Sequence, residues 1–134
     1  MAKYYPDDIR PFEAIAEARR WLAGEVKLPY VKSCILACHM SARESQKNLT
    51  AFVAARAIGQ SASTVHSARH CMGLVMYGAL AVSYDKTGIQ ASWELIEKNI
   101  KDECLKMKEA LEKISVKDEI NPISNIANKN SIKT

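Results

Sequence analysis

The chain carries three histidines, and two of them stand four residues apart in "STVHSARHCMG". On a helix, that spacing puts the rings of His66 and His70 on one face. Two imidazoles so placed suit a single zinc or iron ion. Cys34 and Cys38 repeat the spacing, so a Cys2His2 tetrahedron is available if the two faces meet. Two features weigh against it. The histidines lack the Glu-x-x-His carboxylates that build metal sites inside helical bundles. Reduced cysteine also packs readily as a small hydrophobe.

The third histidine, His39, pairs with Arg43 at the same spacing. Together with Arg56, Gln60, His66 and His70, these are polar groups set in segments that otherwise read as core. Buried polar groups must find hydrogen-bond partners, and buried charge is costly unless paired. Two uses fit. The residues form a polar seam that locks helix register, or they line a groove facing a partner or small ligand. Either way, His66 and His70 are expected to be mostly buried.

Catalytic patterns are weak. Ser61, Ser63, Thr64 and Ser67 lie near the histidines, but hydroxyls in helices usually bond the carbonyl one turn back. The sequence has no G-x-S-x-G elbow and no phosphate-binding glycine loop. Cys71 adjoins His70, but helical sequence neighbours point about 100° apart and do not act together. A non-enzymatic protein without a cofactor is the expectation.

These groups sit on a chain of 134 residues, enough for one domain with its own core. Helix formers dominate, 48% of residues are hydrophobic, and strand formers are sparse. We expect an all-α, single-domain antiparallel bundle of four to five helices over 1–116, followed by a loosely ordered polar tail over 117–134.

The first helix starts at Pro11, buries Ala14, Ile15, Ala18, Trp21 and Leu22 on one face, and stops at Gly24. The second covers about 29–46, with Val31, Cys34, Ile35, Cys38 and Ala42 inward. Asn48 is placed to cap the next segment. That segment, about 49–84, is too long to be one helix, so a break is expected at Gly59 or at Ser67–Arg69. Its many Ala and Gly residues mark it as the most buried part of the bundle. "SYDKTG" reads as a turn, Thr87 and Gln90 as a capping box, and 88–114 as the last helix. Its apolar stripe is Ile89, Trp93, Ile96, Ile100, Cys104, Met107, Leu111 and Ile114.

Several classes are disfavoured. Nineteen basic against 15 acidic residues give a net charge of +4, too mild to imply nucleic-acid binding. The longest apolar run, about Cys71–Val82, is too short to span a bilayer. The N-terminus shows no signal-peptide pattern, and four cysteines without C-x-x-C spacing read as reduced thiols, so a cytoplasmic protein is expected.

Three stretches, "RPFEAIAEARRWLAGEVK", "ACHMSAR" and "AARAIGQSASTVHSARHCMGLVMYGALAV", resemble the Imm-5-like family of immunity proteins. These are small, alanine-rich, all-helical bacterial proteins assigned to polymorphic toxin systems. The resemblance runs over about 8–112. It is carried by Arg10, Pro11, Ala14, Ile15, Arg19 or Arg20, Trp21, Gly24, Glu25, His39, Arg56, Gly59, Gln60, Thr64, His66, His70 and Gly73. Relatives often have histidine where Gln60 stands and alanine where Cys34 and Cys38 stand. Some have proline within the H-x-x-x-H segment, where this chain has Ala68.

The resemblance implies a protein that binds and neutralises a cognate toxin. The +4 charge points away from a nuclease target, whose inhibitors are commonly acidic. The candidate binding residues are Arg10, Trp21, His39, Arg43, Arg56, Gln60, His66 and His70. A small-molecule or metal-binding domain built on the histidine cluster is the alternative, and a homodimer through the third segment is a further possibility.

Overall fold

The computed structural model describes residues 1–118. Five α-helices follow in order: α1 Arg10–Leu22, α2 Leu28–Glu44, α3 Leu49–Ser63, α4 Cys71–Thr87 and α5 Trp93–Ile114. A single 3-10 turn, Ala68–His70, leads into α4. The described residues contain no strand, so the fold is all-α.

Each helix packs on the next, and α1 also reaches α3. Neighbours run antiparallel. Cys38 of α2 meets Ala55 of α3, and nearer the other end of α2 Ile35 and Ser63 line one groove. Between α3 and α4, Gln60 meets Gly73 and Ala57 meets Gly78. The core joins Ala14, Ala18 and Trp21 of α1 to Val31, Ile35 and Cys38 of α2, with Ala62 and Val65 closing it. Small side chains let these axes approach, as the buried Ala51, Ala55, Ala57, Gly59 and Ala62 of α3 show.

Local chemistry sets the boundaries. Proline occupies the first turn of both α1 and α2, where a missing N–H costs nothing. Gly24 follows α1 with φ +78°, a conformation that favours glycine. The Asn48 side chain caps α3 by accepting from the Ala51 N–H at 3.0 Å.

The long apolar segment does break, at Thr64–Ser67. Ser63 Oγ donates to the Gly59 carbonyl at 2.7 Å and Thr64 Oγ1 to that of Ser61 at 2.7 Å. Ser67 then turns extended. Hydroxyls competing for carbonyls mark the helix end. Gly59 is not a break; α3 passes straight through it.

The α4–α5 junction differs from the sequence reading. "SYDKT" is the last part of α4, and Thr87 donates its hydroxyl back to the Ser83 carbonyl at 2.9 Å rather than capping a new helix. The turn is made by Gly88, φ +79°. Ser92 caps α5 instead, accepting from the Leu95 N–H.

Two burial expectations also change. The third segment is buried only in its first half; in α4 only Ala79 and Ser83 are fully buried. The stripe of α5 is buried at Ile96, half-buried at Ile100, Cys104 and Met107, and exposed at Ile89, Trp93, Leu111 and Ile114. The reason is geometric: among the described residues, α5 packs chiefly on α4, at the edge of the bundle. Ion pairs one turn apart run along the helix, Glu97–Lys101 at 3.0 Å and Glu103–Lys106 at 2.8 Å. The polar tail begins at the end of the described residues, and 119–134 lie outside them.

Candidate functional site

The break between α3 and α4 opens a groove against α2. Lys32, Ile35, Leu36, His39, Ser63, His66 and His70 line about 350 Å³ of it. All three histidines of the chain therefore share one site. The helix that was to hold His66 and His70 on one face ends at Ser63, before either of them. Their rings still meet edge to face, with centroids 5.2 Å apart and planes at 63°. His66 is exposed and His70 half-buried, contrary to the expected burial.

Each ring is placed by an identifiable neighbour. His70 Nδ1 lies 2.7 Å from Gln60 Oε1. The carbonyl oxygen only accepts, so Nδ1 carries the proton and Nε2 keeps its lone pair in the neutral ring. His39 Nδ1 has a longer contact, 3.4 Å, with Arg56 Nη1. A guanidinium only donates, so here Nδ1 accepts and Nε2 carries the proton. The Arg56 guanidinium also lies 5.6 Å from the centroid of the Tyr77 ring, in cation–π range. Its Nε is buried without a hydrogen-bond partner.

Two glycines make room. A Cβ at Gly59 would come within 2.5 Å of the His39 ring, and one at Gly73 within 2.6 Å of Gln60 Cγ. These two glycines thus seat the polar groups rather than break the helix.

Desolvation and nearby cations disfavour the charged form of two of the imidazoles, His39 and His66. Desolvation pushes His39 below the usual histidine range, helped by Arg56, His70 and Arg43. Desolvation does the same to His66, helped by His70 and Lys32.

Several expected site residues lie elsewhere. Trp21 is 0% exposed in the core, away from the groove, with its Nε1 unpartnered. Arg43 is exposed and acts on His39 only through its charge. Arg10 sits in a separate, larger cavity of about 620 Å³. There it donates to Asp8 through Nε at 2.8 Å and to Glu44 through Nη2 at 2.6 Å. Ser41 also donates to Asp8, at 2.6 Å. The Arg10 guanidinium and these bonds hold the Asp8 carboxyl down at about 2.

The Cys2His2 set does not assemble. The Cys38 thiol is in the core, donating to the Ala55 carbonyl at 3.4 Å, and burial pushes it up to about 11. Cys34 is half-buried outside the groove. Among the described residues, no group of three or more His, Cys, Asp or Glu is placed to hold a metal ion.

Conversely, Lys32 and Leu36 line the groove without having been singled out, and Ser63, noted only as a hydroxyl near the histidines, lines it with them. Lys32, Leu36 and His39 recur at helical spacing on α2, a signal the sequence did contain.

The described residues form a single helical bundle with one histidine-lined groove and an interrupted central segment, a small all-α fold. The family model described as Imm-5 like putative immunity protein matches residues 1–110, and the chain belongs to that family. No curated protein and no solved structure matches the chain. Among the described residues, no helix is long and apolar enough to cross a membrane.

Proposed function

We propose that the chain is an immunity protein that binds a cognate protein toxin and neutralises it without turnover, in the cytoplasm of the bacterium that makes both. One observation supports this most: the polar groove is flanked by exposed apolar side chains. Leu36 lines it at 61% exposure, and Met40, one turn along the same helix, is also exposed. Apolar contact area around a few fixed polar groups is the anatomy of a protein-binding surface. The test is co-expression with the toxic polypeptide encoded beside this chain's gene. Growth should be restored and the two chains should co-purify as a stoichiometric complex. Continued growth arrest, or protection without a complex, overturns the reading.

A small ligand is the rival occupant, because about 350 Å³ falls within the size range of small-molecule sites. Native mass spectrometry separates the two, since a retained ligand adds a small fixed mass that disappears in His66→Ala. Self-association has its own support. Residues 71–82 of α4 carry no charged side chain, yet Met72 and Met76 are 61% and 68% exposed. Sedimentation across a concentration series reads it directly.

A further inference from the structure

The groove has a one-sided charge. Its lining holds Lys32 and all three histidines, and no acidic side chain. The charged groups acting on the rings are likewise cationic. Lys32 and Arg43 come from α2, and Arg56 from α3. The turn before α4 contributes His70, and α4 itself contributes only the Tyr77 ring beneath Arg56. A metal cation is a poor occupant of such a place, whereas an anion is a good one.

We propose that this groove receives an aspartate or glutamate side chain donated by the protein partner. The proposal rests on the immunity reading and names the chemistry by which the partner is recognised. Lys32 supplies a mobile ammonium at the rim, and Ile35 and Leu36 supply apolar walls for the methylenes of the incoming side chain. Charge-assisted hydrogen bonds to the carboxylate are stronger than neutral ones.

The half-buried rings of His39 and His70 are held differently. His70 gives its Nδ1–H to Gln60, which leaves Nε2 clear of that bond. A proton at His39 Nδ1 would make that nitrogen a donor facing the Arg56 guanidinium, so this contact keeps His39 neutral. His66 is the exposed ring, held below the usual histidine range by desolvation, His70 and Lys32. An entering carboxylate favours its charged form, so binding takes up a proton there and strengthens as pH falls through the histidine range. It weakens again only where the incoming carboxyl itself protonates, near pH 4.

The experiment uses the intact chain and two capped peptides, acetyl-Gly-Asp-Gly-amide and acetyl-Gly-Asn-Gly-amide, with inorganic phosphate as the small-anion comparison. Histidine Cε1–H resonances are followed by NMR at about pH 6 and about pH 8. The aspartyl peptide should shift His66 and His70 saturably. It should bind about tenfold more tightly than the asparaginyl peptide, and more tightly at the lower pH. Lys32→Glu, at an exposed position, should lower that affinity about tenfold with unchanged helicity. An equal response to both peptides, no response to either, or a response to phosphate alone overturns the proposal. None of these outcomes touches the growth-protection test, and a failed protection test leaves the carboxylate site standing. The two readings therefore fail separately.

Discussion

Gln60 Oε1 and His70 Nδ1 lie 2.7 Å apart across the break between α3 and α4. One short bond thus ties the end of a helix to the turn that begins the next. It also fixes the tautomer of His70, leaving Nε2 as the nitrogen free to act. Gly73 permits the arrangement, since a Cβ there would meet the Gln60 side chain within 2.6 Å.

Gln60→Leu should therefore release the His70 tautomer while costing only about 1 kcal/mol of stability, the usual value of one hydrogen bond. Long-range 15N correlation spectra of the imidazole should show Nδ1–H in the parent chain and a tautomer mixture in the variant. A parent ring already mixed, or protonated at Nε2, would contradict the assignment.

His39 and Gly59 form the complementary pair. In Gly59→Ala, the new methyl meets the His39 ring at 2.5 Å, so the ring must move away and give up its Arg56 contact. We expect a loss of about 1–3 kcal/mol, the usual range for overpacking. His39→Ala should lose about 1–2 kcal/mol by removing the Arg56 contact. The double variant should lose less than the two single losses added together, because the clash has gone. Additive losses in chemical denaturation would show that the ring and the glycine are not coupled.

Much of this fold is legible in the sequence, and the failures share a cause. Prolines, Gly24 and Asn48 mark local events, and local events set helix ends whatever surrounds them. The break near Ser67 follows from clustered hydroxyls and could be anticipated. Gly59 looked equally like a break because its absent side chain serves a neighbour on α2, and sequence spacing does not show neighbours. Trp21 illustrates the same limit, since an apolar ring fits a core and a pocket wall equally well. The α4–α5 turn was misplaced because Thr87 finds the Ser83 carbonyl before it can cap anything. His66 and His70 were grouped correctly by spacing, but their burial depended on a helix that ends before it reaches them.

Acid should weaken the folded state in two separable steps. His39 and His66 are pushed below the ordinary value by burial and cations, so the unfolded chain binds protons first. Stability is complete above the unfolded histidine value of about 6.5 and falls as pH drops below it. Asp8 behaves as a depressed acid. Its contribution is present above the unfolded value of about 4 and is lost as pH falls toward about 2. Discounted for solvent screening, that second step is worth about 1 kcal/mol. Thermal unfolding across pH should show both steps, with the first reduced in His39→Ala and the second in Asp8→Asn. A single step that neither variant alters would refute the assignment.

The exposed methionines of α4 give the last prediction. Met72 and Met76 are more than half exposed on a stretch of α4, 71–82, that carries no charged side chain. An exposed apolar surface of this kind is costly in water unless something covers it. If a second copy covers it, the sedimentation coefficient rises with concentration, and Met76→Lys returns the chain to a monomer. The same change leaves monomer stability within about 0.5 kcal/mol, because the side chain packs on little else. If the toxin covers it, the parent chain is monomeric throughout and Met76→Lys weakens the toxin complex instead. Each site then has its own signature. Met76→Lys lowers affinity equally at all pH values, while changes in the histidine groove alter the pH dependence of binding.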